Sequence, residues 1–199
     1  MKTSVLLSII LSLVICSCSS EVKTNTKKVT FGIHEVVTPG EIPATILDSL
    51  MKMNVHPEEN AEIAFIGYIK EADSSILNMD FSQENFKLAE SLYTVDTNKE
   101  YYAIAAIKPV PSINNTDIKK SKSENNSVII YLNMAGARKL AELTKNDIGK
   151  SIAVIIDNKI YTIPKIQGEI REGVVKISGL KSEADAKNIS ASLNASVPE

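Results

Sequence analysis

Several residue types are scarce in this chain of 199 residues, and each scarcity excludes a class of protein. There are two cysteines, Cys16 and Cys18, so no residue after position 18 carries a thiol. A disulfide framework, a zinc–cysteine site and a cysteine nucleophile in the folded body are therefore excluded. The chain has eight glycines, seven prolines and no tryptophan. This composition excludes a collagen-like chain and a long low-complexity tract.

Charge is nearly balanced over the whole chain but is unevenly distributed along it. Residues 41–100 hold 12 acidic and 4 basic side chains, whereas residues 101–199 hold 10 acidic and 14 basic ones. Two interpretations are open. The halves face each other and partly neutralise, or they form a dipolar surface that steers a charged partner. The pI near 5.8 and the scattered lysines argue against nucleic acid as a partner.

The N-terminus has the pattern of a targeting segment. Lys2 precedes a mostly apolar run, Val5–Ile15, which is typical of a secretory signal and shorter than the ~20 residues that span a bilayer. The following Ile15-Cys16-Ser17-Cys18 resembles the bacterial lipobox. That resemblance implies cleavage before Cys18 and a lipid on its sulfur, which would anchor the protein to a membrane. The alternative is ordinary signal cleavage near Ser19 or Ser20.

The remaining chain is predicted to be one domain on a tether. We expect a lipoprotein signal peptide over residues 1–17, a polar lipidated tether over 18–28 and a single domain over 29–199. A body of this size buries close to 70% of its unfolded surface, which is enough for one sizeable core. The expected location is the bacterial cell envelope, facing the periplasm or the exterior.

The first half of the body has a mixed pattern. It predicts strands over Val29–Glu35, Glu62–Ile69 and Tyr101–Lys108 and a helix over Pro43–Met53. The Glu62–Ile69 strand is apolar on both sides, which predicts burial of both faces. Ser82 is predicted to cap a helix that carries Phe86, Ala89 and Tyr93 at helical spacing. Residues 113–126 are polar and are predicted to form a loop with a helical turn near Asp117.

The second half has clearer start and stop signals. Strands are predicted over Ser127–Leu132 and Val174–Ser178, and two helices are predicted to start after Asn133 and Ser182, the first ending near Asn146. Asp157-Asn158 joins two apolar runs, 151–156 and 159–163, which is typical of a hairpin. Strands and helices mix without strict alternation. The predicted fold class is therefore α+β, with a mixed, largely antiparallel sheet and packed helices.

A spaced motif runs through this second half. Its members are Gly136, Leu140, Ala141, Thr144, Gly149, Lys150, Asp157, Lys159, Pro164, Gly173, Ile177 and Gly179. In order and spacing they resemble the head subdomain of the first periplasmic domain of SecD and SecDF, accessory subunits of the protein-export translocase. The resemblance covers residues 104–198 and implies a SecD-periplasmic-head-like fold there. Residues 29–103 match only faintly and are interpreted as a divergent N-terminal part.

The motif residues have structural explanations. Gly136 would let a helix approach the sheet, Gly149 would end that helix, and Asp157 would form the hairpin turn. Lys150 is predicted to contact the last helical carbonyls. The family's head subdomain is not an enzyme, so the resemblance implies a module that contacts polypeptide or another envelope protein.

The sequence contains no catalytic motif, no metal-ligand spacing and no cofactor-binding motif. His34 is predicted to be a strand-edge side chain, and His56-Pro57-Glu58-Glu59 a solvated turn. Lys119, Lys120 and Lys122 could touch anionic lipid headgroups, although a solvated loop is the favoured prediction. An enzyme with a pocket that gathers His34 or His56 and two carboxylates is the third-ranked interpretation.

Two functions from different classes follow. The first is a non-enzymatic, membrane-anchored lipoprotein that binds an exported polypeptide or an envelope protein and is linked to protein export. Its binding region would be a strand edge or groove in the sheet formed by residues 127–178. The alternative is an accessory subunit of an envelope complex that docks through its acidic stretch 41–100, with Glu58, Glu59 and Glu62 as contacts.

Overall fold

A computed structural model describes residues 26–57, 64–94 and 100–198 of the chain. In these ranges there are three helices, α1 (Ala44–Lys52), α2 (Met134–Asn146) and α3 (Glu183–Ala195). The strands are β1 (Phe31–Val37), β2 (His56–Pro57), β3 (Gly67–Lys70), β4 (Lys87–Thr94), β5 (Tyr101–Ile107), β6 (Ile113–Asn114), β7 (Ile118–Glu124), β8 (Ser127–Leu132), β9 (Ile152–Ile156), β10 (Lys159–Thr162) and β11 (Val174–Ile177). Four 3₁₀ turns, at 39–41, 71–78, 82–84 and 115–117, connect them.

The larger of two sheets closes on itself. Its strand order is β2-β3-β5-β4-β10-β9-β1-β6, and β1 also pairs with β5. The strands β1, β9, β10, β4 and β5 therefore form a closed ring, which we call the barrel. All pairs in the barrel are antiparallel except β4 with β10. The predicted α+β class with a mixed, largely antiparallel sheet is confirmed.

The barrel interior is filled by small and branched side chains. All five strands contribute to one buried cluster, which consists of Val36, Ala89, Ala105, Ile107, Ala153, Ile155 and Ile160. An eight-stranded barrel is just wide enough for its interior side chains, so a ring of five strands has less room. The alanines among these residues are the consequence of that narrow interior.

Two further clusters lie outside the barrel. On one side α1 and the 3₁₀ turn at 71–78 cover β3, β4 and β5, with Leu50, Ile69 and Phe86 in the centre. On the other side β1 and β9 share a cluster with the second sheet and the helices α2 and α3. This second sheet has three antiparallel strands in the order β11-β8-β7, and we call it the small sheet.

The predicted start and turn signals of the second half are confirmed. The Asn133 side chain accepts a hydrogen bond from the Gly136 N–H at 2.9 Å, and Ser182 Oγ accepts one from the Asp185 N–H at 3.1 Å. Asp157 and Asn158 have φ angles of 48° and 63°, as a tight turn between β9 and β10 requires. In the first half, α1 follows Pro43, as predicted.

The predicted helix after Ser82 is wrong. Ser82–Glu84 is a single 3₁₀ turn that ends at Asn85, whose φ is 56°, and the chain then continues as β4. β4 is a central strand and is buried on both faces, since Leu88 packs towards α1 and Ala89 into the barrel. A strand of this kind lacks the alternation that distinguishes it from a helix in the sequence.

The predicted loop over residues 113–126 is also wrong, apart from the helical turn at Asn115–Asp117. Residues 113–114 form β6 and residues 118–124 form β7. β7 is an edge strand whose exposed side carries Lys120 and Lys122, so its sequence resembles a solvated loop. Its buried side contains Ser121, whose hydroxyl donates to the Ser190 carbonyl of α3 at 2.8 Å.

The strand predicted over Glu62–Ile69 is shorter in the described part of the chain. β3 begins only at Gly67, although the Ile66 N–H already donates to the Ile104 carbonyl at 2.9 Å. A side chain at Gly67 would place its Cβ 2.4 Å from the His56 carbonyl oxygen. Of the predicted range, residues 62 and 63 lie outside the described residues.

The prediction that His34 is a strand-edge side chain is wrong, because His34 lies inside the sheet. β1 lies between β9 and β5, and His34 is 4% exposed. Its Nδ1 lies 2.8 Å from the Lys108 carbonyl, which can only accept, so Nδ1 carries the proton. Burial lowers the pKa of His34; the Lys108 bond acts in the opposite sense, and the charge of Lys87 adds to the lowering.

Replacing Gly136 with alanine should destabilise the protein. An added Cβ would lie 2.7 Å from the Asp117 carbonyl oxygen, which belongs to the backbone and cannot rotate away. We expect a loss of about 1–3 kcal/mol in the free energy of unfolding, despite the better helix propensity of alanine. Denaturant unfolding measures it. Gly168→Ala is the matched control, because nothing lies within 4 Å of its added Cβ. Equal stability of the two variants would contradict this packing.

The stability of the protein should fall as the pH is lowered past the ordinary histidine pKa of 6.5. Below that pH the unfolded chain takes up a proton that folded His34 still refuses, and the loss ends once the pH passes the lowered pKa of the folded state. His34→Asn keeps a donor for the Lys108 carbonyl and removes the titration. Urea unfolding across this pH range should show a weaker pH dependence for the variant. An unchanged pH dependence would contradict the assignment.

Candidate functional site

Two motif glycines hold α2 against its neighbours. Gly136 faces the turn at Asp117, as described above, with Leu132 of β8 next to it. Gly173, at φ 62°, packs on α2, since an added Cβ would lie 2.5 Å from the Ala137 Cβ. Gly136 thus gives the predicted close approach of the helix, but its nearest neighbour is the turn at Asp117 rather than a strand.

Another group of motif residues fixes the irregular segment between β10 and β11. Buried Thr144 accepts a hydrogen bond from the Ile170 N–H at 2.8 Å, and the Gly149 N–H donates to the Ile166 carbonyl at 2.8 Å. The Pro164 carbonyl accepts from Ile152 at 3.1 Å. The Lys150 ammonium forms a 2.6 Å ion pair with the Asp147 carboxylate, and the Lys150 N–H donates to the Asp147 carbonyl at 3.0 Å, at the end of α2.

The motif residues of the hairpin bind β4 and the segment that leads into β1. Asp157 accepts from the Thr30 N–H at 2.9 Å and pairs with Lys27 at 3.0 Å. Burial acts to raise the pKa of Asp157, but the Thr30 hydrogen bond and the Lys27 ammonium hold it below the ordinary value. Lys159 forms an ion pair with the buried carboxylate of Glu90, across the parallel contact that closes the barrel.

A further motif position, Gly179, has a φ of 78° and lies between β11 and α3, where the chain turns. The motif is therefore spread over α2, the hairpin, β11 and the segment between them. Gly136, Thr144, Asp157, Lys159 and Gly173 each fix the packing of one element on another. No two of them form a shared reactive site among the residues that the structure describes.

Neither histidine belongs to a metal-binding group among the residues that the structure describes. Within the described ranges, no group of three or more histidine, cysteine, aspartate and glutamate side chains could hold a metal ion. His56 lies in the short strand β2, not in a turn as predicted; it is exposed, and its ring is 5.0 Å from Tyr101. The predicted docking contacts Glu58, Glu59 and Glu62 lie outside the described residues.

The small sheet has one covered face and one exposed face. On the covered face the alternate residues of β8, Val128, Ile130 and Leu132, are buried in the cluster that contains α3. On the other face the strands align in two rows, Lys120–Tyr131–Val174 and Lys122–Ile129–Lys176. We call these six side chains the open face. Ile129 and Tyr131 are half-buried, and the two β11 residues and both β7 lysines are exposed.

One edge of the small sheet is occupied by a side chain. The Ser121 N–H of β7 donates to Asn194 Oδ1 at 2.6 Å, and Asn194 Nδ2 donates to the Ser121 carbonyl at 3.1 Å. The amide of Asn194, at the end of α3, thus pairs with the backbone as a neighbouring strand would. This edge is closed at Ser121.

The other edge, along β11, is open. The Leu132 N–H donates to the Gly173 carbonyl at 2.9 Å, so by antiparallel alternation Val175 and Ile177 also bond to β8. The backbone groups of Val174 and Lys176 then face away from β8. Among the described residues, no backbone or side-chain group hydrogen-bonds to them. The chain therefore has a short free strand edge beside the open face.

Two concave features lie elsewhere. A cleft of about 390 Å³ lies between β4 and the hairpin, and Lys87, Glu90 and Lys159 line it. A smaller groove of about 220 Å³ has a mostly apolar lining that includes Ile152, Ile166 and Ile170. The groove belongs to the region in which the sequence predicted a strand edge or groove contact.

The sequence predicts a strand edge or groove within residues 127–178 as the binding region, but it does not identify the β11 edge or the rows of the open face. Lys120 and Lys122 were predicted to lie in a solvated loop, which is wrong because both belong to β7. Their spacing of two residues, with Ser121 between them, is the available signal of a strand with one exposed side. Register with Tyr131 and Val174 is not encoded in any local pattern.

The N-terminal predictions concern residues outside the described ranges. Cys18 and the signal peptide lie there, so their assignment stays a prediction. The described part of the tether, residues 26–28, has no helix or strand. None of the helices in the described ranges has the length and apolar character that crossing a membrane requires.

The sequence of this chain matches one protein family. The family described as "SecDF, P1 head subdomain" matches residues 90–197. The protein translocase subunit SecD of Rhodothermus marinus is 34% identical over 111 residues, which cover 50% of this chain and 18% of that protein. SecD of Acidaminococcus fermentans is 32% identical over 78 residues, covering 37% and 19%. The chain thus spans about a fifth of the length of these relatives.

Solved structures extend the likeness of the fold beyond the matched sequence. One, described as a membrane component SecDF that enhances protein export, superposes with a TM-score of 0.50 at 20% identity. It covers 86% of this chain and 64% of that one. SecDF in its super-membrane-facing form also gives a TM-score of 0.50, at 17% identity, covering 86% and 19%. The fold likeness therefore includes most of the N-terminal part that matched faintly in sequence. With the family match over more than half of its length, the chain belongs to the SecDF P1 head subdomain family.

Proposed function

We propose that this protein is a non-enzymatic, membrane-anchored lipoprotein of the bacterial envelope that binds extended polypeptide in connection with protein export. The family membership supports a role related to export, since the relatives are translocase subunits. The free edge of β11 is the observation that carries the binding role. An extended client would add to the small sheet as a fourth strand, in the manner of β-augmentation.

The hydrogen-bonding pattern suits such an addition. Val174 and Lys176 each offer one N–H and one C=O that point away from β8, at the spacing that a neighbouring strand matches. Backbone groups carry no sequence information, so this contact suits clients of varied sequence. On the opposite edge the Asn194 amide already occupies Ser121, which would direct a client to β11.

Membrane attachment through Cys18 is the second part of the proposal. The first described residues join the folded body near α3 and the hairpin, where the Val29 N–H donates to Ser196 Oγ at 2.7 Å. The polar residues between Cys18 and this point would act as a short tether. A lipid anchor and a tether would keep the strand edge close to the membrane that exported chains cross.

Replacing Lys176 with proline should weaken client binding. Proline removes the outward N–H of β11 but none of the bonds to β8, and proline is tolerated on edge strands. We expect binding of a cysteine-alkylated, permanently unfolded polypeptide to the full-length protein in detergent to weaken about fivefold or more. Fluorescence anisotropy measures it. Lys176→Ala removes the same side chain but keeps the N–H, so it should weaken binding clearly less than Lys176→Pro does.

Ser123→Pro is the matched control for the other edge, because the Ser123 N–H also points away from β8 but on the β7 side. Urea unfolding should show that the proline variants stay folded. Client addition at β11 would be contradicted if Lys176→Pro and Ser123→Pro lost binding equally. It would also be contradicted if neither variant lost binding.

The lipid anchor has its own test. Cys18→Ser should abolish incorporation of labelled fatty acid and move the protein from the membrane fraction to the soluble fraction, because the only acceptor thiol is lost. Cys16→Ser should retain both, since Cys16 would leave with the signal peptide. Fatty acid on Cys18→Ser, or its loss in Cys16→Ser alone, would contradict the assignment.

A further inference from the structure

The open face carries three lysines around an apolar centre. In one row Lys120 and Val174 flank Tyr131, and in the other Lys122 and Lys176 flank Ile129. The Lys120 ammonium lies 5.3 Å from the centre of the Tyr131 ring. Two exposed acidic residues lie next to these rows, Glu124 at the end of β7 and Glu172 two residues before Val174.

Some basic side chains of the second half are neutralised within the chain, whereas these lysines, like Lys119 and Lys187, have no ion-pair partner among the described residues. Lys139, Lys150 and Lys159 each form an ion pair with a carboxylate of this chain. In the described part of the chain, no carboxylate lies within ion-pair distance of Lys120, Lys122 or Lys176. The open face thus presents unneutralised positive charge beside half-buried apolar side chains.

The position of this face relative to the β11 edge has a consequence for any added strand. Residues directly opposite each other on neighbouring strands share a face of the sheet. A client strand beside β11 would therefore place alternate side chains next to Val174 and Lys176 on the open face. Lys122 lies in the same row three strands from such a client, roughly 14 Å at the usual strand spacing, so it adds only a screened, longer-range attraction.

We infer that this surface selects extended client segments with an acidic residue opposite Lys176 and an apolar residue opposite Val174. These two client residues lie two positions apart, on the same face of the client strand. The inference rests on the proposed strand addition and adds a preference in charge. A polypeptide is favoured over an anionic membrane as the occupant, because it supplies both the acidic groups and the backbone partners that Val174 and Lys176 lack. Charge complementarity across such a contact contributes to specificity and to the rate of association.

The test uses two short extended peptides that differ only in having glutamate or glutamine at every fourth position, with an apolar residue two positions after each of them. We expect the full-length protein to bind the glutamate peptide about threefold more tightly than the glutamine peptide. Added salt should reduce that difference. Lys122→Glu/Lys176→Glu should abolish the preference. The single change Lys187→Glu, on the exposed side of α3, should preserve it.

The outcomes separate this inference from the proposed function. Equal affinity for both peptides, with both lost in Lys176→Pro, would overturn the charge preference and leave strand addition standing. Binding of neither peptide would overturn both. A third arm uses vesicles of phosphatidylglycerol. Vesicle binding that is lost in Lys122→Glu/Lys176→Glu would show that the vesicles bind the open face. If the protein also binds the two peptides equally well, the occupant is a lipid surface and the inference is wrong.

Discussion

The backbone hydrogen bonding of β8 is the constraint on which the candidate binding surface depends. As the central strand of the small sheet, β8 bonds to β11 through Ile130 and its alternate neighbours, and to β7 through the residues between them. This alternation decides which groups of the outer strands face away. On β7 the outward groups include those of Ser121, which Asn194 takes up, whereas on β11 they are free. One helix residue thus makes the two edges of the same sheet unequal.

The rest of the fold holds this small sheet in place. α3 covers one face of it, and the buried cluster beneath continues into β1 and β9 of the barrel. The barrel is closed by a short parallel contact between β4 and β10, where the buried Glu90 carboxylate pairs with Lys159. The family motif serves the same end, since Gly136, Thr144 and Gly173 fix α2 and the segment that leads into β11. In this chain the motif supports a surface but does not supply its contact groups.

The elements of the fold that could be predicted from the sequence are those with local start or turn signals. Asn133, Ser182 and the Asp157-Asn158 turn act through their own backbone and immediate neighbours, so the elements next to them were predicted closely. β4 was missed because burial on both faces removes its alternation. β7 was missed because its exposed side is rich in lysine and its buried side contains a serine bonded to α3. The open face arises from register between strands distant in the sequence, which no local pattern encodes.

The central claim is that a client occupies the outward backbone groups of β11. Amide hydrogen exchange at single-residue resolution, with and without an unfolded client, tests it most directly. The account predicts that the Val174 and Lys176 amides exchange rapidly in the free protein and become protected in the complex. The Ser123 amide on β7 should be unaffected. Protection that appears on β7 or only elsewhere, with Val174 and Lys176 unchanged, would contradict the account.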